Sequence, residues 1–176
     1  MRKIIFSILI AFVPLVTAQS APQLAVQSEP DYVTLRYAKE MMVKSQVTER
    51  SYRIQTALLG PEPEAGYPVL FVLDGDAYFS GVASLANALS ESNANPNALS
   101  VLIVGVGYSD QQAIDLKQRS LDYTPPLRSE ATDEERHRYG QGALFQQFLN
   151  QELIDYFASK HRIDTENLAL FGHSFG

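Results

Sequence analysis

The 176-residue chain contains no cysteine, which excludes disulfides, thiolate metal sites and a cysteine nucleophile, and leaves no lipid attachment point behind its apolar leader. Basic stripes are missing too. Fourteen Lys and Arg stand against twenty Asp and Glu, a net charge of -6, so nucleic acid is not an expected partner. There are no internal repeats and no low-complexity segments. His, Asp and Glu nowhere fall at metal-ligand spacing, and neither metal nor cofactor is expected. The longest apolar run, residues 4–16, is well short of the roughly 20 residues a membrane span needs and is broken by Pro14.

What is present suits one domain: 45% hydrophobic and 19% charged residues are ordinary globular values. Arg2-Lys3, the apolar run and Val16-Thr17-Ala18 make residues 1–18 read as a cleaved secretory signal, with Gln19-Ser20-Ala21 as a weaker second cleavage site. The expected destination is the periplasm or the medium, with no stable membrane anchor after cleavage. Residues 19–30 are polar and proline-containing, a disordered lead-in.

Residues 32–43 and 48–59 are rich in β-branched and aromatic side chains. In the second stretch Tyr52, Ile54, Thr56 and Leu58 alternate with Arg53, Gln55 and Ala57, which predicts an antiparallel hairpin with one wetter face. After the proline- and glycine-rich loop 60–66 the pattern becomes continuous. Residues 69–73, 101–106 and 168–171 are short apolar runs, expected as parallel strands buried on both faces. Between the first two, Phe79, Val82, Leu85, Ala86 and Leu89 fall at helical spacing over 78–89, with 93–97 closing the crossover. An insertion at 108–142 shows little periodicity, although Thr132-x-x-Glu135 predicts a capping box. Residues 143–159 form an amphipathic helix through Leu144, Phe145, Phe148, Leu149, Leu153 and Phe157. This alternation predicts an α/β fold with a mostly parallel sheet and an N-terminal antiparallel hairpin, over 31–176.

The last strand runs into Gly172-His173-Ser174-Phe175-Gly176. G-x-S-x-G after a strand is the nucleophile-elbow pattern, a strained turn that exposes a serine Oγ above the sheet, with glycines where side chains would collide with backbone. Asp74 and Asp76 invite comparison with a glycosidase carboxylate pair, but an aspartate at a strand end before glycine is more simply a turn-maker.

Taken in order, Tyr67-Pro68-Val69-Leu70-Phe71-Val72-Leu73-Asp74-Gly75, Val104-Gly105-Val106-Gly107-Tyr108, Arg119-Ser120-Leu121-Asp122-Tyr123-Thr124-Pro125, Gly142-Ala143 with Phe148-Leu149 and Glu152-Leu153, and the elbow resemble one esterase family of the α/β-hydrolases. It includes the enterobactin and other siderophore esterases and the S-formylglutathione hydrolase-like enzymes. The resemblance covers roughly residues 35–176 and implies hydrolysis of a small-molecule ester by a Ser-His-Asp/Glu triad through an acyl-enzyme. Ser174 is then the nucleophile. The oxyanion amides are those of Phe175 and of Gly75 or Asp76. Arg119 matches an arginine facing the substrate pocket, where it would grip an anionic or catecholate group; the alternative is a solvated loop arginine. Asp122-Tyr123-Thr124-Pro125 reads as structural, the aspartate and threonine fixing the loop's backbone.

In this fold the triad follows in the order Ser, acid, His, yet His137 and His161 precede Ser174, and His173, adjacent to the nucleophile, points away from it. The triad acid and histidine are absent from this chain. It is expected to be the N-terminal portion of the fold, ending after the elbow strand, with that strand an unpaired apolar edge and with no more than trace activity alone. Two further readings stand beside the esterase: a non-catalytic pseudo-enzyme or binding protein that completes its sheet with a second chain, and a secreted acyltransferase of the same fold.

Overall fold

Alternating burial along the strands builds a sheet covered on two faces. The computed structural model describes residues 33–91, 98–110 and 112–176; the expected signal (1–18), lead-in (19–30) and crossover turn (93–97) lie outside them. β1 (Ala38–Lys44) and β2 (Ser51–Leu59) form the expected hairpin, Met41 opposite Ile54. β2 pairs antiparallel with β4 (Val101–Tyr108), which runs parallel to β3 (Tyr67–Leu73), itself parallel to β5 (Ile163–Phe171). The order β1-β2-β4-β3-β5 is therefore mixed, with the parallel pairings confined to β4-β3-β5.

Every residue of β4 is buried, because α1 (Gly75–Ser90) covers one face and a second helical layer the other. Val101 and Ile103 meet Phe79, Ala83 and Ala86 of α1, whereas Leu102, Val104 and Val106 join the opposite core. The period-two alternation of a strand makes both sets apolar, which is why β4 reads as one unbroken run. Each such side chain contributes about 1.5–3 kcal/mol by leaving water.

The second layer is α4 (Gly142–Gln147), which continues through a π-helical segment (Phe148–Leu153) into α5 (Ile154–Ala158). A regular α-helix over 143–159 was the expectation. The wider turn, with its i to i+5 repeat, places Phe148 with Leu153 and Leu149 with Ile154 on the buried side. Glu152 on this segment accepts from Ser45 Oγ at 2.6 Å and Gln46 N at 2.8 Å, tying the helix to the β1-β2 turn.

Other expectations need correcting. α1 starts at Gly75 rather than 78, and its Leu85 and Leu89 are exposed. The contact face runs through Phe79, Ala83 and Ala86, whose small size lets the helix approach the sheet; a Cβ on Gly105 would lie 2.8 Å from the Phe79 ring. β5 starts at Ile163, not 168, and is not buried on two faces: it pairs only with β3 among the described strands, and Leu170 is 53% exposed. The insertion holds α2 (Leu116–Asp122) and α3 (Asp133–Arg138). Thr132 and Glu135 close the expected capping box on α3. No helix of the described residues is long and apolar enough to cross a membrane.

Candidate active site

β4 lies on one side of β3 and β5 on the other, so the chain leaving β3 and the chain reaching the end of β5 diverge at neighbouring carboxyl ends. Such switch points make the ligand crevices of open α/β sheets. Val72 is in register with Phe171, so Asp74-Gly75-Asp76 and Gly172-His173-Ser174 leave the sheet side by side.

The elbow has the expected strain. Ser174 sits at φ 61, left-handed for a residue with a Cβ, at a cost of about 1–2 kcal/mol. Gly176 N donates to His173 O at 3.2 Å, and a Cβ on Gly172 would fall 2.1 Å from Gly176 O; the turn closes only because that position is bare. Ser174 is exposed. The His173 ring lies 5.8 Å from that of Tyr78 on α1, consistent with a side chain turned from Ser174.

Opposite the elbow, Asp74 turns the chain from β3 into α1 through a left-handed conformation, φ 49. Gly75 follows because a Cβ there would sit 2.8 Å from Val106 N, and backbone cannot give way. The amides of Gly75 and Asp76 lie in the first turn of α1, where no helical carbonyl is available to them and the helix dipole is positive. Together with Phe175 N they are the donors expected of an oxyanion hole.

Both aspartates are engaged internally, which removes the glycosidase-type pair. Asp74 takes a bidentate contact from Arg119, Nε to Oδ1 at 3.0 Å and Nη2 to Oδ2 at 2.9 Å. Its own amide donates to the Tyr123 hydroxyl at 3.2 Å. Burial pushes the Asp74 carboxyl above its usual range, opposed by Arg119. Asp76 accepts from Arg53 Nη1 at 3.1 Å and Tyr108 N at 3.2 Å, and it too is raised, mainly by burial.

Arg119 is only 5% exposed, and Nη2 also donates to His173 O at 2.8 Å. Its Nε and Nη2 are thus engaged by protein, and the guanidinium lies beside the elbow, 5.6 Å from the Phe175 ring centre. His137 on α3 bonds Asp133 O of its own helix at 2.6 Å. His161 precedes β5 and Ser174 follows it, so the nine residues of that strand separate them, roughly 30 Å at 3.3 Å per residue. No histidine is hydrogen-bonded to Ser174 among the described residues, and none of their His, Asp and Glu groups could hold a metal ion.

Thr124 does fix its loop, donating to Ser120 O at 2.7 Å and accepting from Gly140 N at 2.7 Å. Asp122 binds side chains instead of backbone: Arg50, Tyr52 and Tyr108 converge on it. Burial raises it to about 6 against the pull of Arg50 and the two hydroxyls. Sequence reasoning missed Arg53 and Tyr108 as supports of the site; the one available signal was that Arg53 is the single charged residue of β2. Beside the elbow a cavity of about 420 Å³ is lined by Leu73, Tyr123, Pro125, Leu149, Leu170 and Phe175 among others, an apolar wall of the kind small-molecule sites use.

A family model described as "Putative esterase" matches residues 45–176. The apo-salmochelin esterase of Escherichia coli O6:H1 is 34% identical over 133 residues, covering 72% of this chain and 40% of that protein. The ferri-bacillibactin esterase BesA of Bacillus subtilis is 26% identical over 141 residues, covering 77% and 48%. The crystal structure of the BES protein from Bacillus cereus matches with a TM-score of 0.72 at 26% identity, over 85% of this chain and 58% of that one. The chain spans less than half the length of the curated relatives it matches.

Proposed function

This chain belongs to the Putative esterase family and carries part of an α/β-hydrolase fold; on that premise we propose that it serves a secreted serine esterase acting on siderophore-type or simple acyl esters through an acyl-enzyme. The observation that carries the proposal is Ser174 at φ 61 between two glycines, at the carboxyl end of β5 and beside the first-turn amides of α1. Ser174 Oγ attacks the ester carbonyl, and the negative charge that develops on its oxygen meets Phe175 N and the N–H of Gly75 or Asp76. Collapse expels the alcohol and leaves the acyl group on Oγ, and water then releases the acid. Preorganised amides of this kind are each worth about 10²- to 10³-fold in rate. The siderophore class is supported by the substrates named for the two bacterial relatives, and secretion by the leader at 1–18.

A serine hydroxyl needs a base. His137 and His161 are unsuitably placed for it, and His173 faces Tyr78. The base is therefore a group other than this chain's three histidines, and the 176 residues alone are expected to turn over ester only at trace level. The test is p-nitrophenyl acetate and enterobactin hydrolysis by residues 19–176 and by the full-length polypeptide, each with Ser174→Ala. Ser174-dependent turnover in the full-length protein alone is expected; full-length turnover that survives S174A refutes the nucleophile, and robust turnover by 19–176 refutes the missing base.

A further inference from the structure

We infer that Arg119 is a positioning residue that holds the two halves of the oxyanion hole in register. The inference rests on the reading of Ser174 as nucleophile. Two amides can stabilise one oxygen only if both reach within about 2.7–3.1 Å of it. Here they stand on segments that leave different strands, Gly75-Asp76 after β3 and Phe175 after β5. The β3-β5 register ends at Val72 with Phe171, and among the described residues no backbone hydrogen bond joins 74–76 to 172–176 beyond it. A side chain has to supply the link.

Arg119 spans the gap. Nε and Nη2 hold both carboxylate oxygens of Asp74, the residue before Gly75, while Nη2 also holds the carbonyl of His173, the residue before Ser174. The guanidinium carbon lies 5.6 Å from the Phe175 ring centre and 5.5 Å from that of Tyr123, and the Tyr123 hydroxyl takes the Asp74 amide. One planar group thus touches the residue before Gly75, the residue two before Phe175, and the Phe175 side chain itself. A planar fork can do this with fixed angles, whereas a lysine is a single point charge that cannot span both partners. With both members buried, the pair also resists screening by salt, so the spacing of the two segments is set by a short, dry contact.

The test uses the full-length protein with Arg119→Lys, Asp74→Asn and the double variant. Each is assayed against a neutral ester, p-nitrophenyl acetate, and an anionic one, p-nitrophenyl hemisuccinate. A misplaced donor costs on the order of 10- to 100-fold, so kcat should fall by about that factor for both esters with KM changed less than about threefold. The double variant should be no worse than the poorer single one, because the two residues act as one unit. Thermal melts report folding. If R119K loses its cooperative transition, Tyr123→Phe, which removes the hydroxyl that accepts the Asp74 amide and bonds Tyr108 but keeps the ring beside Arg119, should still lower kcat at constant KM. A rise in KM confined to the anionic ester, or kcat untouched in all variants, overturns the clamp alone. Wild-type protein without Ser174-dependent turnover overturns the nucleophile reading and the clamp with it.

Discussion

Replacing Asp122 with alanine should destabilise the chain by about 3 kcal/mol at pH 7. The carboxylate is 1% exposed and receives Arg50, the Tyr52 hydroxyl at 3.2 Å and the Tyr108 hydroxyl at 3.1 Å. Breaking a buried ion pair typically costs 3–5 kcal/mol, and an orphaned buried hydroxyl about 1–3. Two features pull the total down. Arg50 keeps Gln141 at 2.6 Å, and Tyr52 keeps Thr48 at 3.1 Å; the carboxylate also loses water on burial, which offsets part of what the pair contributes. That second feature is what raises Asp122 from 3.8 to about 6. Because the folded state binds this proton more tightly than the unfolded one, the linked stability is fully present below about pH 4 and is lost as pH rises through about 6. Two units at 1.36 kcal/mol each set its size at about 3 kcal/mol. Urea unfolding of residues 19–176 from pH 4 to 8 measures both effects. The wild-type midpoint should fall with pH across 4–6 relative to Asp122→Asn, which cannot titrate. Parallel midpoints, or a D122A loss under about 1 kcal/mol at pH 7, would refute the reasoning.

Ser174→Gly should raise stability by about 1 kcal/mol by relieving the left-handed strain while abolishing turnover in the full-length protein, read by melts and ester assay together. Gly75→Ala places a methyl 2.8 Å from Val106 N and should cost about 1–3 kcal/mol along with most of kcat, since α1 must lift off β4. Thr132→Ala removes the cap of α3; a loss of about 1 kcal/mol or less should appear as faster hydrogen exchange of the Glu135 and Arg136 amides, with kcat unchanged.

The continuous apolar runs of β3 and β4 announce strands covered on both faces, because alternate residues are buried by different layers and each layer selects for apolar side chains. G-x-S-x-G announces its turn because its causes are local: Ser174 at positive φ and a Gly172 Cβ position filled by Gly176 O involve five consecutive residues. The capping box of α3 is legible for the same reason. Arg119 is the contrary case. Its partners lie 45 and 54 residues away, and nothing in Arg-Ser-Leu-Asp-Tyr-Thr-Pro says whether the guanidinium faces a pocket or an aspartate across the sheet. Asp122 likewise finds its hydroxyl partners on β2 and β4. Leu85 and Leu89 look like core by composition, but the approach of α1 over Gly105 turned its Ala83-Ala86 face inward instead. The sequence by itself thus determined the apolar strands β3 and β4 and the strained serine turn, whose causes lie within a few residues. Only the tertiary structure decided which buried charges pair and which apolar side chains stay wet, because those depend on how elements distant in the chain meet.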